Sequence, residues 1–245
     1  MNTKYFINID NALEKLGFVK EESERYSYSD LTFRFENYWP ILEQDLPDNL
    51  NIDPLNSNQL GQPGLWKYTV GDNVISRRFD IPPEILGLSL EEFISWAILT
   101  SDQRRFQETW RRPLLEELDL KKEDFVVQYD RFIRRIHLVN ENQTLALRLS
   151  ILPVVPELDK YRLQCLRDVL IDAQNRWRLL RITLGSPGES IEAEINFSGA
   201  PQSILRNLIK SGLNVLSLFM KWLIASVDLL ANVSLKSNIF KKCCA

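Results

Sequence analysis

Side chains that carry acid–base or nucleophilic chemistry are scarce in this chain of 245 residues, which has one histidine and three cysteines. His137 lies in the segment IRRIHLV beside Arg134 and Arg135. Neighbouring cations disfavour the protonated imidazole, and the adjoining sequence offers no paired aspartate or nucleophile. Cys165 falls among the apolar positions of a predicted helix, which favours a small core residue. We therefore expect both residues to be structural and predict no catalytic residue.

Motifs for metals, phosphates and hydrolysis are also missing from the sequence. A structural zinc site takes about four Cys or His ligands, and this chain has four such residues in total with no C-x₂-C pair. Neither phosphate-binding glycine motif occurs, nor does G-x-S-x-G. Acidic pairs such as Glu91-Glu92 have no second acidic motif in register and suit a helix start. The sequence predicts a protein that is not an enzyme and holds no metal or cofactor.

Clusters of arginine residues are the main alternative candidates for a binding site. Arg104, Arg105, Arg111 and Arg112 form two pairs seven residues apart, which would share one side of a continuous helix. Phe106 and Trp110 interleave with them, and arginine beside aromatic residues suits anion or single-stranded nucleic-acid binding. Asp102, Glu108, Glu116 and Glu117 offer neutralising partners at helical spacing. An acidic partner protein is at least as consistent with these clusters as nucleic acid is.

Charge is unevenly distributed along the chain, although the net charge is only −3. Residues 1–60 hold eleven acidic and five basic residues, and residues 199–245 hold one acidic and six basic residues. The N-terminus lacks the apolar stretch of a signal peptide. An odd number of cysteines, two of them adjacent at Cys243 and Cys244, is not a disulfide framework. We expect a cytoplasmic protein.

Hydrophobic periodicity predicts an α+β fold in which an antiparallel sheet packs with long helices. We expect a helix over residues 5–17, a strand at 31–35 and a hairpin over 65–79. Residues 36–65, rich in Pro, Gly, Asn and Asp, are expected to be loop-rich, as a wrap over another surface or a linker. From residue 89 the predicted order is a helix broken near Asp102, three strands, a helix over 158–177, a hairpin around GSPGES and a final helix. No internal repeat is apparent.

The longest apolar segment, Pro201 to Asn232, defines the final helix. Its charged and polar residues share one narrow stripe, so that the helix is apolar over roughly 220°, whereas a surface helix has an apolar stripe of about 100°. Lys221 interrupts it, and its longest uncharged run is shorter than the roughly 20 residues of a membrane span. Such a helix must be covered on more than one side, by its own domain, a second subunit or a partner.

Large apolar and aromatic side chains of this helix are the expected anchors for a protein partner. They are Leu216, Phe219, Met220, Trp222 and Leu223, with Trp96 and Trp110 behind them.

The element order from residue 89 to 232 resembles that of type III secretion chaperones and their YbjN-type relatives. The local sequence is also similar: Asn175-Arg176-Trp177 ends a helix before a strand with Arg181, and Gly199-Ala200-Pro201 leads into the apolar helix. The resemblance implies a compact α+β domain, often dimeric, that binds other proteins and catalyses nothing. Residues 1–88 fall outside it, and the basic C-terminal segment departs from the family's acidic character.

The sequence thus predicts a non-enzymatic adaptor, assembly factor or chaperone that binds another protein or a second copy of itself. Two alternatives stay open: a nucleic-acid-binding module that uses the arginine clusters, and a peripheral membrane protein attached through the C-terminal helix and tail. The expected organisation is an N-terminal helix with a loop-rich segment (1–88), an α+β domain (89–235) and a flexible tail (236–245).

Overall fold

The structure is a computed structural model with two antiparallel sheets and five helices in its described residues. It describes residues 3–21, 25–36, 39–44, 46, 52–56, 60–71, 74–81, 90–111, 113, 124–129, 132–141, 143–151, 160–185 and 190–232. The helices are α1 (Thr3–Lys15), α2 (Leu90–Ser101), α3 (Gln103–Thr109), α4 (Lys160–Arg176) and α5 (Gln202–Asn232). The predicted α+β class and the long C-terminal helix are confirmed.

The first sheet has six strands in the spatial order β1-β2-β3-β4-β6-β5. They are β1 (Val19–Lys20), β2 (Tyr26–Tyr28), β3 (Leu31–Glu36), β4 (Trp39–Gln44), β5 (Trp66–Gly71) and β6 (Val74–Asp80). Residues 36–65, which are expected to be loop-rich, also contain β4, a strand inside the sheet that was not predicted. Proline lacks an N–H and is tolerated near the start of a strand, and Pro40 still pairs through its carbonyl, which accepts from Ile81 N at 3.1 Å.

The second sheet has five strands in the order β10-β11-β9-β8-β7. They are β7 (Asp124–Tyr129), β8 (Phe132–Glu141), β9 (Thr144–Ile151), β10 (Arg181–Leu184) and β11 (Ile191–Asn196). The predicted break near Asp102 is also present, because its carboxylate accepts from Arg105 N at 3.0 Å and caps α3. Every strand and helix expected beyond residue 89 is therefore observed, apart from a predicted helical turn at 113–118, of which residues 114–118 lie outside the described residues.

Both sheets contribute to one continuous hydrophobic core. It joins Phe33 and Phe79 of the first sheet, Leu147 and Ile195 of the second, and Phe219 of α5. The predicted domain boundary between residues 88 and 89 falls at the edge of residues 82–89, which are not described, and stays a prediction.

The two sheets repeat one topology, although no repeat is apparent in the sequence. In each, three consecutive strands (β2-β3-β4 or β7-β8-β9) form a meander, and a later hairpin (β5-β6 or β10-β11) joins it. In each, the second strand of the hairpin pairs with the last strand of the meander and the first lies at the edge. A helix follows each hairpin, α2 in the first repeat and α5 in the second.

The two repeats can be aligned residue by residue, because each has the same backbone hydrogen bond just beyond the last strand of its hairpin. Ile81 N donates to Pro40 O at 3.1 Å in the first, and Phe197 N donates to Leu145 O at 2.7 Å in the second. Three residues before Ile81, Arg78 lies opposite Lys67. Three residues before Phe197, Glu194 lies opposite Arg181. Lys67 and Arg181 are therefore equivalent positions, as are Arg78 and Glu194.

Candidate functional site

Strand β5 is an edge of the first sheet, and the end of α4 covers it. The Asn175 side chain accepts from Val70 N at 3.1 Å and donates to Val70 O at 2.8 Å. Gln174 Nε2 donates to Tyr68 O at 3.2 Å. Two side-chain amides thus take the place of a neighbouring strand and satisfy backbone groups that an edge leaves open.

Two cations from the first sheet bind the carbonyls at the end of α4. Lys67 Nζ donates to Trp177 O at 2.6 Å, and Arg78 Nη2 donates to Asn175 O at 2.9 Å. The last carbonyls of a helix lack intrahelical partners and carry partial negative charge. The cationic groups therefore cap the helix from within the molecule, and the Lys67 side chain is only 1% exposed.

Asp80 is the buried counter-ion of this arrangement. Its carboxylate lies 3.0 Å from Lys67 Nζ, 3.2 Å from Arg78 Nε and 2.8 Å from Arg178 Nη1. Burial alone raises the pKa of Asp80, but the three cations outweigh burial and the pKa is lowered. Lys67 shares this one carboxylate with two arginines, so burial dominates and lowers the pKa of Lys67 to about 8.

An open cleft of about 320 Å³ lies beside this cluster, on the polar face of the first sheet. Its lining residues are Arg34, Glu36, Glu43, Thr69, Val70, Ser76, Arg78, Asn175, Arg176 and Arg178. Glu36 accepts from Arg78 at 2.9 Å and from Arg178 at 3.0 Å. On another wall Arg34 binds Glu43 in a bidentate pair at 2.7 and 2.8 Å. We call this site, together with Lys67 and Asp80, the arginine cleft.

The second sheet carries a buried network at the equivalent position. Arg181 donates to Glu194 at 2.7 Å, to Trp66 O from Nε at 3.1 Å and to Gly64 O at 3.2 Å. Glu194 also accepts from Arg148 at 2.6 Å and from Gly61 N at 3.0 Å. The network ties the segment before β5 to the second sheet, and we interpret it as structural.

The predicted interface residues of α5 lie inside the molecule. Leu216, Phe219, Met220 and Leu223 are buried, and Trp222 is half-buried. Trp177 contacts both Phe219 and Trp222, with ring centroids 5.7 and 6.2 Å apart. Of the two tryptophans expected behind them, Trp96 is buried and Trp110 packs against the core. The expectation that this face anchors a partner needs correction in one respect: the chain's own core covers these side chains.

The two arginine pairs do not lie on one continuous helix. Helix α3 ends at Thr109 with Trp110 as its C-cap, so Arg111 lies beyond it and binds the carbonyl of Trp110 at 2.9 Å. Arg104 pairs with Glu108 at 3.2 Å, the neutralising partner that the spacing predicted. Arg105 is exposed, and Arg112 lies outside the described residues.

The structure also places the two residues expected to be structural. Cys165 is buried in the core. His137, for which no paired aspartate was expected, has one: Asp124 lies opposite it across β7 and β8, with Nδ1 2.5 Å from the carboxylate. Both side chains are half exposed, and the 13-residue separation hid the pair from a local reading of the sequence.

Strand β7 is the outermost strand of its sheet among the described residues. Registers show that the hairpin of β7 and β8 is longer than its counterpart in the first repeat: Tyr28 lies opposite Leu31 next to the turn, whereas β7 continues to Tyr129. We call residues 126–129 and 132–135 the hairpin extension. It exposes two apolar side chains on one face, Val126 at 67% and Ile133 at 57%.

Two general features of the described residues concern metals and membranes. No group of three or more His, Cys, Asp or Glu side chains among them is arranged to hold a metal ion. Within α5, the stretch from Gln202 to Ser226 is long and apolar enough to cross a membrane by length and composition, and 44% of its most apolar window is buried inside the molecule.

Comparison of the chain with protein-family models, with curated proteins and with solved structures found no match. The resemblance to type III secretion chaperones and YbjN-type proteins therefore stays a hypothesis.

Sequence reasoning missed the core of the arginine cleft. The signal that was available is that Lys67 and Asp80 interrupt the apolar strands LWKYTV and RRFDI. A charged residue at a position that faces into the molecule needs a buried partner, and these two residues are partners of each other.

Proposed function

We propose that this chain is a non-enzymatic protein-binding protein, an adaptor, assembly factor or chaperone, that binds an extended segment of a partner protein along β7. The observation that carries the proposal is that β7 is the outermost strand of the second sheet among the described residues and lies beside the exposed side chains of Val126 and Ile133. An edge strand presents unpaired N–H and C=O groups, and an added strand gains affinity from them and specificity from side-chain contacts.

The first repeat provides an occupied version of the same edge. There β1 pairs antiparallel with β2, with Val19 opposite Ser27 and Lys20 opposite Tyr26. Strand β2 corresponds to β7 in the shared topology. A partner segment on β7 would occupy the position that β1 occupies in the first sheet, and the hairpin extension would lengthen the contact.

The surface of this proposal differs from the one expected from the sequence. A partner that used Leu216 or Phe219 would have to draw buried side chains out of the core, which costs several kcal/mol for residues of this size. The hairpin extension requires no such rearrangement, because Val126 and Ile133 are already exposed.

The test compares proteins captured by the full chain and by two variants, from nuclease-treated native extract. The first variant is Val126→Lys with Ile133→Lys, which places charges on the hairpin extension. The matched control is Leu218→Lys, at another apolar residue that is 56% exposed, on α5. We expect a partner that binds the wild type and the control but not the double variant, and whose binding slows hydrogen exchange at residues 124–129. A partner set that is identical for all three proteins contradicts the proposal.

A further inference from the structure

One ionisable side chain from each strand of the second sheet lies in a single row across that sheet. Arg181 of β10 lies opposite Glu194 of β11, and Glu194 lies opposite Arg148 of β9. The row continues through His137 of β8 to Asp124 of β7. Residues opposite each other in an antiparallel pair share one face of the sheet. The row therefore ends at β7 with a carboxylate.

This carboxylate has the fewest partners of the charged groups in the row. Arg181 and Arg148 both bind Glu194, at 2.7 and 2.6 Å. Within the part of the chain that the structure describes, Asp124 binds His137 alone, whose Nδ1 lies 2.5 Å from it. An imidazole is cationic only when it is protonated, and the Asp124 side chain is 49% exposed. Its carboxylate therefore keeps capacity to accept from a group on a further strand.

The first sheet contains the equivalent row with its outermost place filled. That row runs through Lys67, Arg78, Glu43, Thr32 and Ser27, and ends at Val19 of β1. Ser27 is thus the position equivalent to Asp124, and the strand beside it presents an apolar side chain. An apolar neighbour suits a hydroxyl group better than a carboxylate, because it removes water from the charge without pairing it. A strand added to β7 therefore needs different chemistry at this place.

We propose, on the basis of the proposed binding along β7, that Asp124 determines which segments bind there. The preferred segment has lysine or arginine opposite Asp124 and an apolar residue two positions away, opposite Val126. Opposite charges directly across two strands stabilise their pairing, and like charges destabilise it. Positions two apart on a strand face the same way, so both side chains meet the exposed face of β7 whichever direction the segment runs.

The other cation on this part of the face lies too far away to reverse the preference. Arg135 is opposite Val126 on β8, one strand further from the edge. Neighbouring strands are about 4.8 Å apart, so a segment cation opposite Asp124 is one strand spacing from Asp124 and two from β8. The direct cross-strand contact with Asp124 therefore outweighs repulsion by Arg135.

The experiment selects peptides from a displayed library of random sequence on the immobilised full chain and on three variants. Asp124→Lys reverses the charge at the edge, and Asp124→Asn removes it with little change of shape. The matched control is Glu141→Lys, which makes the same change of charge at an exposed position, the last residue of β8. Circular dichroism of each variant confirms that the fold is retained.

We expect peptides enriched on the wild type and on Glu141→Lys to carry lysine or arginine two positions from an apolar residue. Those enriched on Asp124→Lys should carry aspartate or glutamate in that place. A synthetic peptide selected on the wild type should bind Asp124→Lys about tenfold more weakly, with Asp124→Asn in between, and added salt should reduce this difference. The same charge preference on all four proteins, or enrichment of no peptide, overturns the proposal.

The double variant Val126→Lys with Ile133→Lys separates this proposal from the proposed function. Selected peptides that lose binding to the double variant but bind Asp124→Lys as tightly as the wild type overturn the role of Asp124 and leave β7 as the binding edge. Selected peptides that bind the double variant as tightly as the wild type contradict binding along β7 itself. If no peptide is enriched, capture from native extract decides the proposed function separately.

Discussion

Lys67 and Arg181 occupy equivalent positions in the two sheets, and each donates to the backbone just before the other. Lys67 Nζ binds the carbonyl of Trp177, four residues before Arg181. Arg181 binds the carbonyl of Gly64, three residues before Lys67. These two contacts hold each sheet against the segment that precedes an edge strand of the other sheet: Lys67 binds the segment before β10, and Arg181 binds the segment before β5. Because both cations are buried, their ionisation and their counter-ions affect the stability of the whole fold.

Lys67 makes the free energy of unfolding depend on pH in the alkaline range. Its pKa is about 8 in the folded chain and about 10.4 in an unfolded one. Between these values the unfolded state binds more protons, so stability rises with pH. We expect the stability difference between wild type and Lys67→Met to grow in favour of the wild type by about 2 kcal/mol from pH 7 to about pH 9.5.

Urea unfolding of both proteins at the two pH values measures this change. The matched control is Lys67→Arg, which introduces the residue found at the equivalent position of the second sheet and stays charged throughout. The unfolding free energy of Lys67→Arg, relative to that of the wild type, should fall by the same amount as that of Lys67→Met when the pH is raised from 7 to about 9.5. A difference that does not vary with pH would rule out a titrating Lys67.

Glu194 should be among the least replaceable side chains in the second sheet. It is fully buried and accepts from Arg181, Arg148 and Gly61 N. Removing one partner of a buried ion pair leaves an uncompensated charge and costs about 3–5 kcal/mol. We expect Glu194→Gln to lower the unfolding free energy by this amount in chemical denaturation. Glu192→Gln, a half-buried position on the same strand, serves as the control and should change it by about 0.5 kcal/mol or less.

Truncation of two neighbouring residues on α5 should cost very different amounts of stability. Phe219 is buried against Trp177, and Leu218 is exposed. Loss of a buried phenylalanine side chain costs about 3–5 kcal/mol, whereas an exposed truncation costs about 0.5 kcal/mol or less. Thermal unfolding of Phe219→Ala and Leu218→Ala measures both. If Phe219→Ala were as stable as the wild type, this position would not belong to the core and the original interface expectation would regain its basis.

Asn175 should protect the edge of β5 from opening. Its side chain makes two hydrogen bonds to Val70, and the net value of each such bond is about 1 kcal/mol. We expect Asn175→Ala to destabilise the chain by about 1–2 kcal/mol and to speed hydrogen exchange of the Val70 amide. Arg176→Ala, one residue further along α4 with an exposed side chain, should leave that amide unaffected; equal exchange in both variants would contradict the role of Asn175.

Much of the fold follows from local pattern. The apolar face of α5, the Asp102 break and the two hairpins β5-β6 and β10-β11 are set by neighbouring residues, and all were predictable. The position of β4 was not, because the prolines and polar residues of 36–65 outweighed the short segment PILEQ in a local reading. The wide apolar face of α5 indicates that the helix must be covered. Periodicity cannot tell whether a partner protein covers it or residues of the same chain, such as Leu147 and Ile195.

The repeat and the arginine cleft escaped prediction for a related reason. Lys67 and Arg181 are both cations, but other equivalent positions carry opposite charges: Arg78 corresponds to Glu194, and Glu43, opposite Arg78, corresponds to Arg148, opposite Glu194. The sign of the cross-strand pair is reversed, so the sequences of the repeats do not align by residue type. The cleft requires charges that are distant in sequence, such as Asp80 and Arg178, and only the tertiary fold brings these together.

The hairpin extension, which the first repeat lacks, also bears on how many partner molecules one chain can bind. An assembly of two identical subunits presents each of its surfaces twice and can link two copies of a partner. In this chain the two repeats differ: β1 covers the edge of β2 and the first hairpin turns after Tyr28, whereas the second hairpin continues to Tyr129 and exposes Val126 and Ile133. On the proposed mode of binding the chain would take up its partner in a one-to-one complex, and would sequester partner molecules rather than cross-link them.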